Sequence, residues 1–295
     1  MIAVDWGTSS LRAYLLDADG TVLEQRRSDQ GVLASAGRFA ETLGELVGEW
    51  PGHVLLCGMV GSRNGWIELP YLPCPVGADE LAAAMRRHQD PRLPGRELWF
   101  VPGVATDAER GTPDVMRGEE TQVVGLISAL GAGGHSVCLP GTHSKWARLE
   151  QGRIGGFVTV MTGELYALLR QHSLLGRLMS GDDAEFHPQA FIRGVERSGE
   201  AGGLLHHLFG TRTLGLFERL PGESLASYLS GLLIGHEIRD RQPIGGTVHL
   251  VGSHGLAQRY AEALGLLGIG SMRHPENLAA TGLHRLARVR GLALG

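Results

Sequence analysis

The chain has 295 residues, a length that favours two domains over a single hydrophobic core. Its 43% hydrophobic and 20% charged residues are typical of a globular protein in water, and a net charge of −4 argues against a nucleic-acid-binding surface. The three cysteines show no CxxC spacing, no apolar run is long enough to span a membrane, and there is no signal-peptide pattern. These features together predict a cytoplasmic protein.

The first ten residues combine an apolar strand with a polar turn. Ile2 to Val4 form the apolar run, Asp5 follows at its end, and residues 7–10 read Gly-Thr-Ser-Ser. A carboxylate beside small hydroxyls and main-chain N–H groups suits Mg²⁺ and phosphate oxygens. An ordinary N-terminal hairpin with a polar turn explains the same residues, and this segment alone does not separate the two interpretations.

The next elements predict an α/β fold. Residues 11–16 and 22–28 read as two further strands, 36–50 as an amphipathic helix and 54–58 as a buried strand. Three strands, a helix and another strand are the opening order of a ribonuclease-H-like unit. Ligands of open α/β sheets gather at the carboxyl ends of strands, which is where Asp5 would lie.

A glycine-punctuated loop, residues 59–66, follows the fourth predicted strand. Arg63 in this loop offers a planar fork that could bind a substrate carboxylate through two parallel hydrogen bonds. The alternative is a surface arginine that covers a core tryptophan, Trp66.

Two consecutive carboxylates, Glu119 and Glu120, begin a predicted helix over residues 119–130. Acidic residues in the first turn of a helix complement its dipole, which is a purely structural explanation that this feature alone favours. The functional alternative makes one of them a general base that is aimed into a cleft.

The opening pattern returns after the glycine-rich segment 131–134. A strand over 136–140 leads into the turn Gly-Thr-His-Ser at 141–144, and two further strands follow. Two such turns, one per domain, could grip one polyphosphate, and an internal repeat is a stronger signal than either turn alone. We therefore predict two domains, residues 1–133 and 134–295.

The rest of the second half is mostly helical, with apolar residues at helical spacing over 164–179, 204–216 and 224–239. A strand over 247–251 and a glycine-rich turn at 252–255 then precede a helix, an arrangement that can seat a nucleotide. The sequence has no GxxxxGK[ST], GxGxxG or GxSxG motif, so an enzyme that handles ATP must grip its phosphates in another way.

Six segments taken together resemble the 2-keto-3-deoxygalactonate kinase family: residues 5–13, 57–66, 117–122, 139–146, 161–165 and 251–256. The resemblance spans nearly the whole chain and keeps the motif order. It implies an actin-like ATPase fold of the actin, Hsp70 and sugar kinase superfamily, in which two ribonuclease-H-like domains flank an ATP cleft. It also implies ATP-dependent phosphorylation of the 6-hydroxyl of 2-dehydro-3-deoxy-D-galactonate, in galactonate catabolism.

The resemblance further implies roles for individual residues. The expected ATP-binding residues are Asp5, Gly7, Thr8, Ser9, Gly141, Thr142, His143, Gly252 and Ser253, with Asp5 also holding Mg²⁺. The expected substrate-binding residues are Arg63, Asn64, Trp66 and Arg12. Glu119 occupies the place of the catalytic Asp of related sugar kinases, and Glu120 is its competitor for the role of base.

Two other functions stay open at this point. One is a kinase of another keto-deoxy sugar acid, such as 2-keto-3-deoxygluconate. Arg63 would account for recognition of a carboxylate, but it cannot distinguish the stereochemistry of a hydroxyl group. The other is a non-enzymatic nucleotide switch of the actin or Hsp70 kind. The expected partners are a small sugar acid and ATP, without nucleic acid or membrane, and a homodimer is left open.

Overall fold

The structure is a computed structural model that describes residues 1–109, 111–182, 185–241, 243 and 246–293. Within these residues the strands are β1 (Ile2–Trp6), β2 (Leu11–Leu16), β3 (Val22–Ser28), β4 (Val54–Gly58), β5 (Leu72–Pro73), β6 (Arg86–His88), β7 (Leu98–Phe100), β8 (Val104–Glu109), β9 (Thr112–Met116), β10 (His135–Leu139), β11 (Ser144–Glu150), β12 (Arg153–Val160), β13 (Thr247–Leu250) and β14 (Gly270–Arg273). The helices are α1 (Phe39–Val47), α2 (Ala78–Ala84), α3 (Glu119–Leu130), α4 (Thr162–His172), α5 (Pro188–Arg197), α6 (Gly203–Leu216), α7 (Gly222–Arg241), α8 (His254–Leu266) and α9 (Leu278–Arg290). None of the described helices is long and apolar enough to cross a membrane.

The first sheet has the strand order β3-β2-β1-β4-β7-β6. β1 pairs antiparallel with β2 and parallel with β4, so β1 lies inside the sheet. Ile2, Val4 and Trp6 of β1 are buried in one core cluster, which explains the near-continuous apolar run of this strand. The predicted opening order of three strands, a helix and a fourth strand is confirmed.

The second sheet has the order β12-β11-β10-β13-β14, which repeats the order of the first five strands of the first sheet. β10 pairs parallel with β13, and β13 pairs parallel with β14. The repeated order confirms the predicted α/β fold with two ribonuclease-H-like sheets. A separate three-stranded sheet, β5-β8-β9, was not expected from the sequence.

The chain divides into two compact units, and the division differs from the predicted single cut at 133/134. The first unit consists of Met1–Gly134, Ala147–Val158 and Pro275–Gly295, and the second of His135–Trp146 and Thr159–His274. The C-terminal helix α9 belongs to the first unit because it packs closely on α3. A Cβ on Gly282 would lie 1.9 Å from the carbonyl oxygen of Thr121, so only glycine permits this approach.

One predicted helix is shorter than expected. The apolar spacing over residues 164–179 predicts a single helix, but α4 ends at His172 and a short 3₁₀ helix follows at Gly176–Leu178. The Ser173 hydroxyl donates to the carbonyl oxygen of Leu169 at 2.6 Å and accepts from the N–H of Leu175 at 3.0 Å. A serine that bonds the neighbouring backbone in this way competes with the helical hydrogen-bond pattern.

Candidate functional site

The turn after β1 is packed against neighbouring backbone and exposes two of its three hydroxyl residues. The N–H of Gly7 donates to the carbonyl oxygen of Ser10 at 2.9 Å, which closes the turn. Gly31 packs against it so closely that a Cβ there would lie 2.2 Å from the carbonyl oxygen of Thr8. Thr8 and Ser9 themselves are exposed. The turn can therefore meet a ligand such as a phosphate group without rearranging.

Asp5 lies at the carboxyl end of β1, directly beside this turn. In the sheet it pairs with Arg12 of β2 on one side and Cys57 of β4 on the other. Burial raises the pKa of Asp5 to about 6, Arg12 opposes this rise, and the nearby charge of Glu119 adds to it. Asp5 is thus a half-buried carboxylate near a second carboxylate, a setting in which a bound cation would be stabilising.

The donor set around Asp5 fits Mg²⁺ better than a metal that needs a full protein cage. No group of three or more His, Cys, Asp or Glu among the described residues could hold a metal ion. Mg²⁺ in phosphoryl-transfer enzymes usually takes one or two carboxylates and completes its shell with water and substrate phosphates. Asp5, with Glu119 as the neighbouring charge, supplies what such a site requires.

Helix α3 begins against the end of β4 because of two glycines. Gly118 has φ 110°, and a Cβ on it would lie 3.1 Å from the Cα of Gly58. The close approach of these two backbones sets the first turn of α3, with its two glutamates, next to the end of β1.

The two glutamates of this turn have different environments. Glu120 is fully buried and accepts hydrogen bonds from the N–H of Gly118 at 2.6 Å and the hydroxyl of Thr121 at 2.9 Å. Burial, with the charge of Glu119 second, raises the pKa of Glu120 to about 8, so this carboxyl is largely protonated at neutral pH. Glu119 is only half-buried and accepts from the N–H of Arg117 at 3.0 Å. Of the two, Glu119 is therefore the carboxylate that a substrate can reach.

The predicted substrate residues of the loop after β4 do not share one environment. The Arg63 side chain is 86% exposed and its Nε lies 3.3 Å from Glu68, and Asn64 is also exposed. The Trp66 ring instead packs among aromatic rings of the first core, with centroids 6.0 Å from Phe39 and 5.7 Å from Phe100. This packing of Trp66 agrees with the second interpretation of the loop, in which Trp66 is a core residue.

In the second unit, the loop Gly141–His143 is anchored to the start of α4. The carbonyl oxygen of Thr142 accepts from the N–H of Glu164 at 2.9 Å, and the ring of His143 contacts the carboxylate of Glu164. A Cβ on Gly163 would lie 2.4 Å from the carbonyl oxygen of Gly141. Thr142 and His143 remain exposed. This loop therefore resembles the turn after β1, since its backbone packs against a neighbouring segment while its polar side chains face solvent.

A buried carboxylate, Glu237 of α7, ties together the elements that flank this loop. It accepts from the indole N–H of Trp146 at 2.6 Å, from the hydroxyl of Tyr260 at 2.6 Å and from the hydroxyl of Thr162. Tyr260 in turn bonds Ser144 at 2.8 Å. Burial raises the pKa of Glu237, while these donors oppose the rise. Sequence reasoning missed this residue, although a lone carboxylate within the apolar stretch of α7 is a usable signal.

The predicted adenosine segment also lies in the second unit. A Cβ on Gly252 would lie 3.2 Å from the carbonyl oxygen of Pro140, and Ser253 is the N-cap of α8. Residues 253–255 are exposed, which leaves the first N–H groups of α8 accessible. A small open pocket adjoins this helix, and its lining includes Gly141, Tyr166, Ile234, Leu256, Arg259 and Tyr260. The mixture of apolar and aromatic surface with one arginine suits a flat heterocycle.

Comparison with known proteins identifies close relatives over most of the chain. The sequence model of the 2-keto-3-deoxy-galactonokinase family matches residues 5–286. The chain is 40% identical over 277 residues to a Rhizobium meliloti protein named "Probable 2-dehydro-3-deoxygalactonokinase", covering 90% of this chain and 89% of that protein. It is 36% identical over 274 residues to the Escherichia coli 2-dehydro-3-deoxygalactonokinase, covering 90% of both. A crystal structure of a Sinorhizobium meliloti protein, provisionally given the same kinase name, superposes with a TM-score of 0.87 at 36% identity, covering 97% of this chain and 98% of that one.

Proposed function

Because the chain belongs to the 2-keto-3-deoxy-galactonokinase family, we propose that it transfers the γ-phosphoryl group of ATP to the 6-hydroxyl of 2-dehydro-3-deoxy-D-galactonate. This reaction would serve galactonate catabolism. The observation that best supports the proposal is the placement of Asp5, the open 7–10 turn and Glu119 at one edge of the first sheet. A carboxylate for a metal, donors for phosphate and an accessible base are the groups that phosphoryl transfer to a hydroxyl requires.

In the first unit we assign the reacting groups as follows. Asp5 holds Mg²⁺, through water or directly, and the exposed Thr8 and Ser9 contact the phosphates. When bound, Mg²⁺ supplies positive charge that balances the phosphate oxygens. Glu119 accepts the proton of the attacking hydroxyl, since Glu120 is buried and already bonded to its own helix.

In the second unit we assign ATP contacts to the loop Gly141–His143 and to the segment Gly252–Ser253. The loop presents exposed donors and is braced by α4. The pocket beside α8 receives the purine, with Leu256 and Ile234 against the ring and Arg259 at its edge. Of the three residues assigned to the purine, Arg259 is the one whose side chain can donate hydrogen bonds to polar atoms of the base.

The proposal is tested by measuring ADP release from ATP and Mg²⁺ with a panel of keto-deoxy sugar acids. We expect turnover with 2-dehydro-3-deoxy-D-galactonate and a lower kcat/KM with its C4 epimer, 2-keto-3-deoxygluconate. A reversed preference would move the assignment to the second acid. ATP binding with no acid-dependent ADP release from any member of the panel would instead support a nucleotide switch and refute the kinase assignment.

A further inference from the structure

Arg117 is a buried cation that lacks partners for most of its hydrogen-bonding groups. It precedes Gly118 and is only 7% exposed. Its Nη2 donates to the carbonyl oxygen of Leu69 at 2.8 Å, and its guanidinium carbon lies 4.3 Å from the centre of the Tyr71 ring. Its Nε and Nη1 are shielded from solvent and have no hydrogen-bond partner among the described residues.

This arrangement is energetically costly for the isolated chain. An unpaired buried donor lowers the stability of the folded chain, and the loss is larger when the group is charged. The Tyr71 ring and a main-chain oxygen both attract the guanidinium, but neither carries a full negative charge. A buried arginine of this kind would be stabilised by an anion that accepts a hydrogen bond from one of its unpartnered nitrogens.

A second buried group without a partner lies in the same loop. The hydroxyl of Ser62 has no hydrogen-bond partner among the described residues, and its residue is only 8% exposed. Its neighbour Gly61 touches Arg117, because a Cβ on Gly61 would lie 3.1 Å from Nη1. One carboxylate-bearing ligand could satisfy both the guanidinium and the hydroxyl.

Arg63 is less suited to the same task. It is 86% exposed and already faces Glu68, so a substrate carboxylate would have to compete with water and with that side chain. Exposed ion pairs of this kind contribute little to stability or binding. A desolvated guanidinium discriminates far better between a charged and a neutral ligand.

We infer that Arg117 binds the C1 carboxylate of the sugar acid through Nη1, the nitrogen beside Gly61, and that Ser62 binds an adjacent substrate oxygen. The identity of the ligand as a sugar acid rests on the proposed function. The preference of the site for an anion does not, since it follows from the buried guanidinium. Because Nη1 is shielded from solvent, binding requires a local movement of the residues around it, among them the partly exposed Tyr71 ring that packs on the guanidinium.

The position of Arg117 also couples acid recognition to the base. The main-chain N–H of Arg117 donates to the Glu119 carboxylate at 3.0 Å, while its side chain extends towards Leu69. Burial raises the pKa of Asp5, and the charge of Glu119 adds to this rise. A ligand bound to the Arg117 side chain would therefore restrict the main chain whose N–H positions the Glu119 carboxylate. The two groups would act at opposite ends of a six-carbon acid.

The test compares Arg117→Lys, Arg117→Met and, as the matched control, Arg63→Met. Each variant is assayed with 2-dehydro-3-deoxygalactonate and with its neutral C1 amide, and calorimetry measures binding of both compounds directly. We expect both Arg117 variants to raise the KM for the acid by about 10- to 100-fold, as loss of one buried charge-assisted hydrogen bond predicts. The KM for ATP should stay within about twofold, and Arg63→Met should change the KM for the acid by less than about threefold.

The acid-to-amide ratio separates this role from a merely structural one. Wild type and Arg63→Met should prefer the acid strongly, and Arg117→Met should bind the two compounds about equally. A folded Arg117 variant that keeps the acid preference overturns the inference, as does loss of that preference in Arg63→Met. If neither Arg117 variant folds, Ser62→Ala supplies the test: a KM for the acid raised several-fold supports the inference, and an unchanged KM overturns it. If wild type binds the acid through Arg117 but phosphorylates no acid, the proposed function fails and the inference stands.

Discussion

The protonated state of Glu120 makes a pH-dependent contribution to the stability of the first unit. Its pKa is about 8 in the folded chain against 4.5 ordinarily, because burial opposes the charge. Between these values the folded chain holds a proton that the unfolded chain has released. The contribution of Glu120 is therefore complete below about pH 4.5 and is lost as the pH rises towards 8.

The size of the effect follows from the span of the two pKa values. While the folded chain binds one more proton than the unfolded chain, its free energy of unfolding falls by about 1.4 kcal/mol per pH unit. Between pH 5.5 and 7.5 this amounts to about 3 kcal/mol. Glu120→Gln keeps the shape of the side chain and removes the ionisation, so the variant should lack this component. Asp5 titrates in the same direction but is present in both proteins, so it largely cancels in the difference.

The assay is urea unfolding of wild type and Glu120→Gln at half-unit pH steps, followed by tryptophan fluorescence. Trp6, Trp50, Trp66 and Trp99 lie in the first unit and only Trp146 in the second, so the signal reports mainly on the unit that contains Glu120. We expect the free-energy difference between wild type and variant to fall steadily across this range. Parallel curves for the two proteins would refute the reasoning that Glu120 is kept neutral by burial.

Three further predictions concern the proposed reaction. Glu119→Gln should lower kcat by about 10²–10⁴-fold with little change in ATP binding, because it removes the base; near-normal turnover would place the base elsewhere. Gly118→Ala should lower the free energy of unfolding by about 1–3 kcal/mol and reduce kcat, since its φ of 110° and its contact with Gly58 both exclude a Cβ; an unchanged melting temperature would contradict this. Glu237→Gln should raise the KM for ATP several-fold and leave the KM for the acid unchanged, because an amide cannot accept from all of the present donors; equal shifts in both constants would refute a local role. Steady-state kinetics and thermal melts of each variant supply these measurements.

The parts of the site that follow from local sequence were predictable. Asp5 ends an apolar strand, and Glu119 follows a glycine at the start of a helical pattern, so both positions depend on residues only a few places away. The repeat of the polar turn at 141–144 was visible for the same reason. The repeated strand order of the two sheets then confirmed the fold that these local signals predicted.

The parts that depend on distant packing were not predictable. Trp66 looks like a ligand-facing aromatic residue until α1 and β7 supply the rings around it. The place of α9 in the first unit depends on glycines at 125 and 282, which in a single sequence read only as weak points of helices. Arg117 carries a charge that normally marks a surface, and only the packed chain shows that it is buried.

The first turn of α3 shows how one short segment can place two identical side chains in different chemical environments. Successive residues of a helix point about 100° apart, so Glu119 and Glu120 cannot face the same surroundings. Gly118 fixes which of the two turns inward, because its contact with Gly58 sets the rotation of the helix about its axis. Glu120 is then placed in the core, where it must keep its proton, and its neutral carboxyl leaves Glu119 as the charged member of the pair near Asp5. The two side chains are identical, so the rotation of the helix alone determines which position can act as a base.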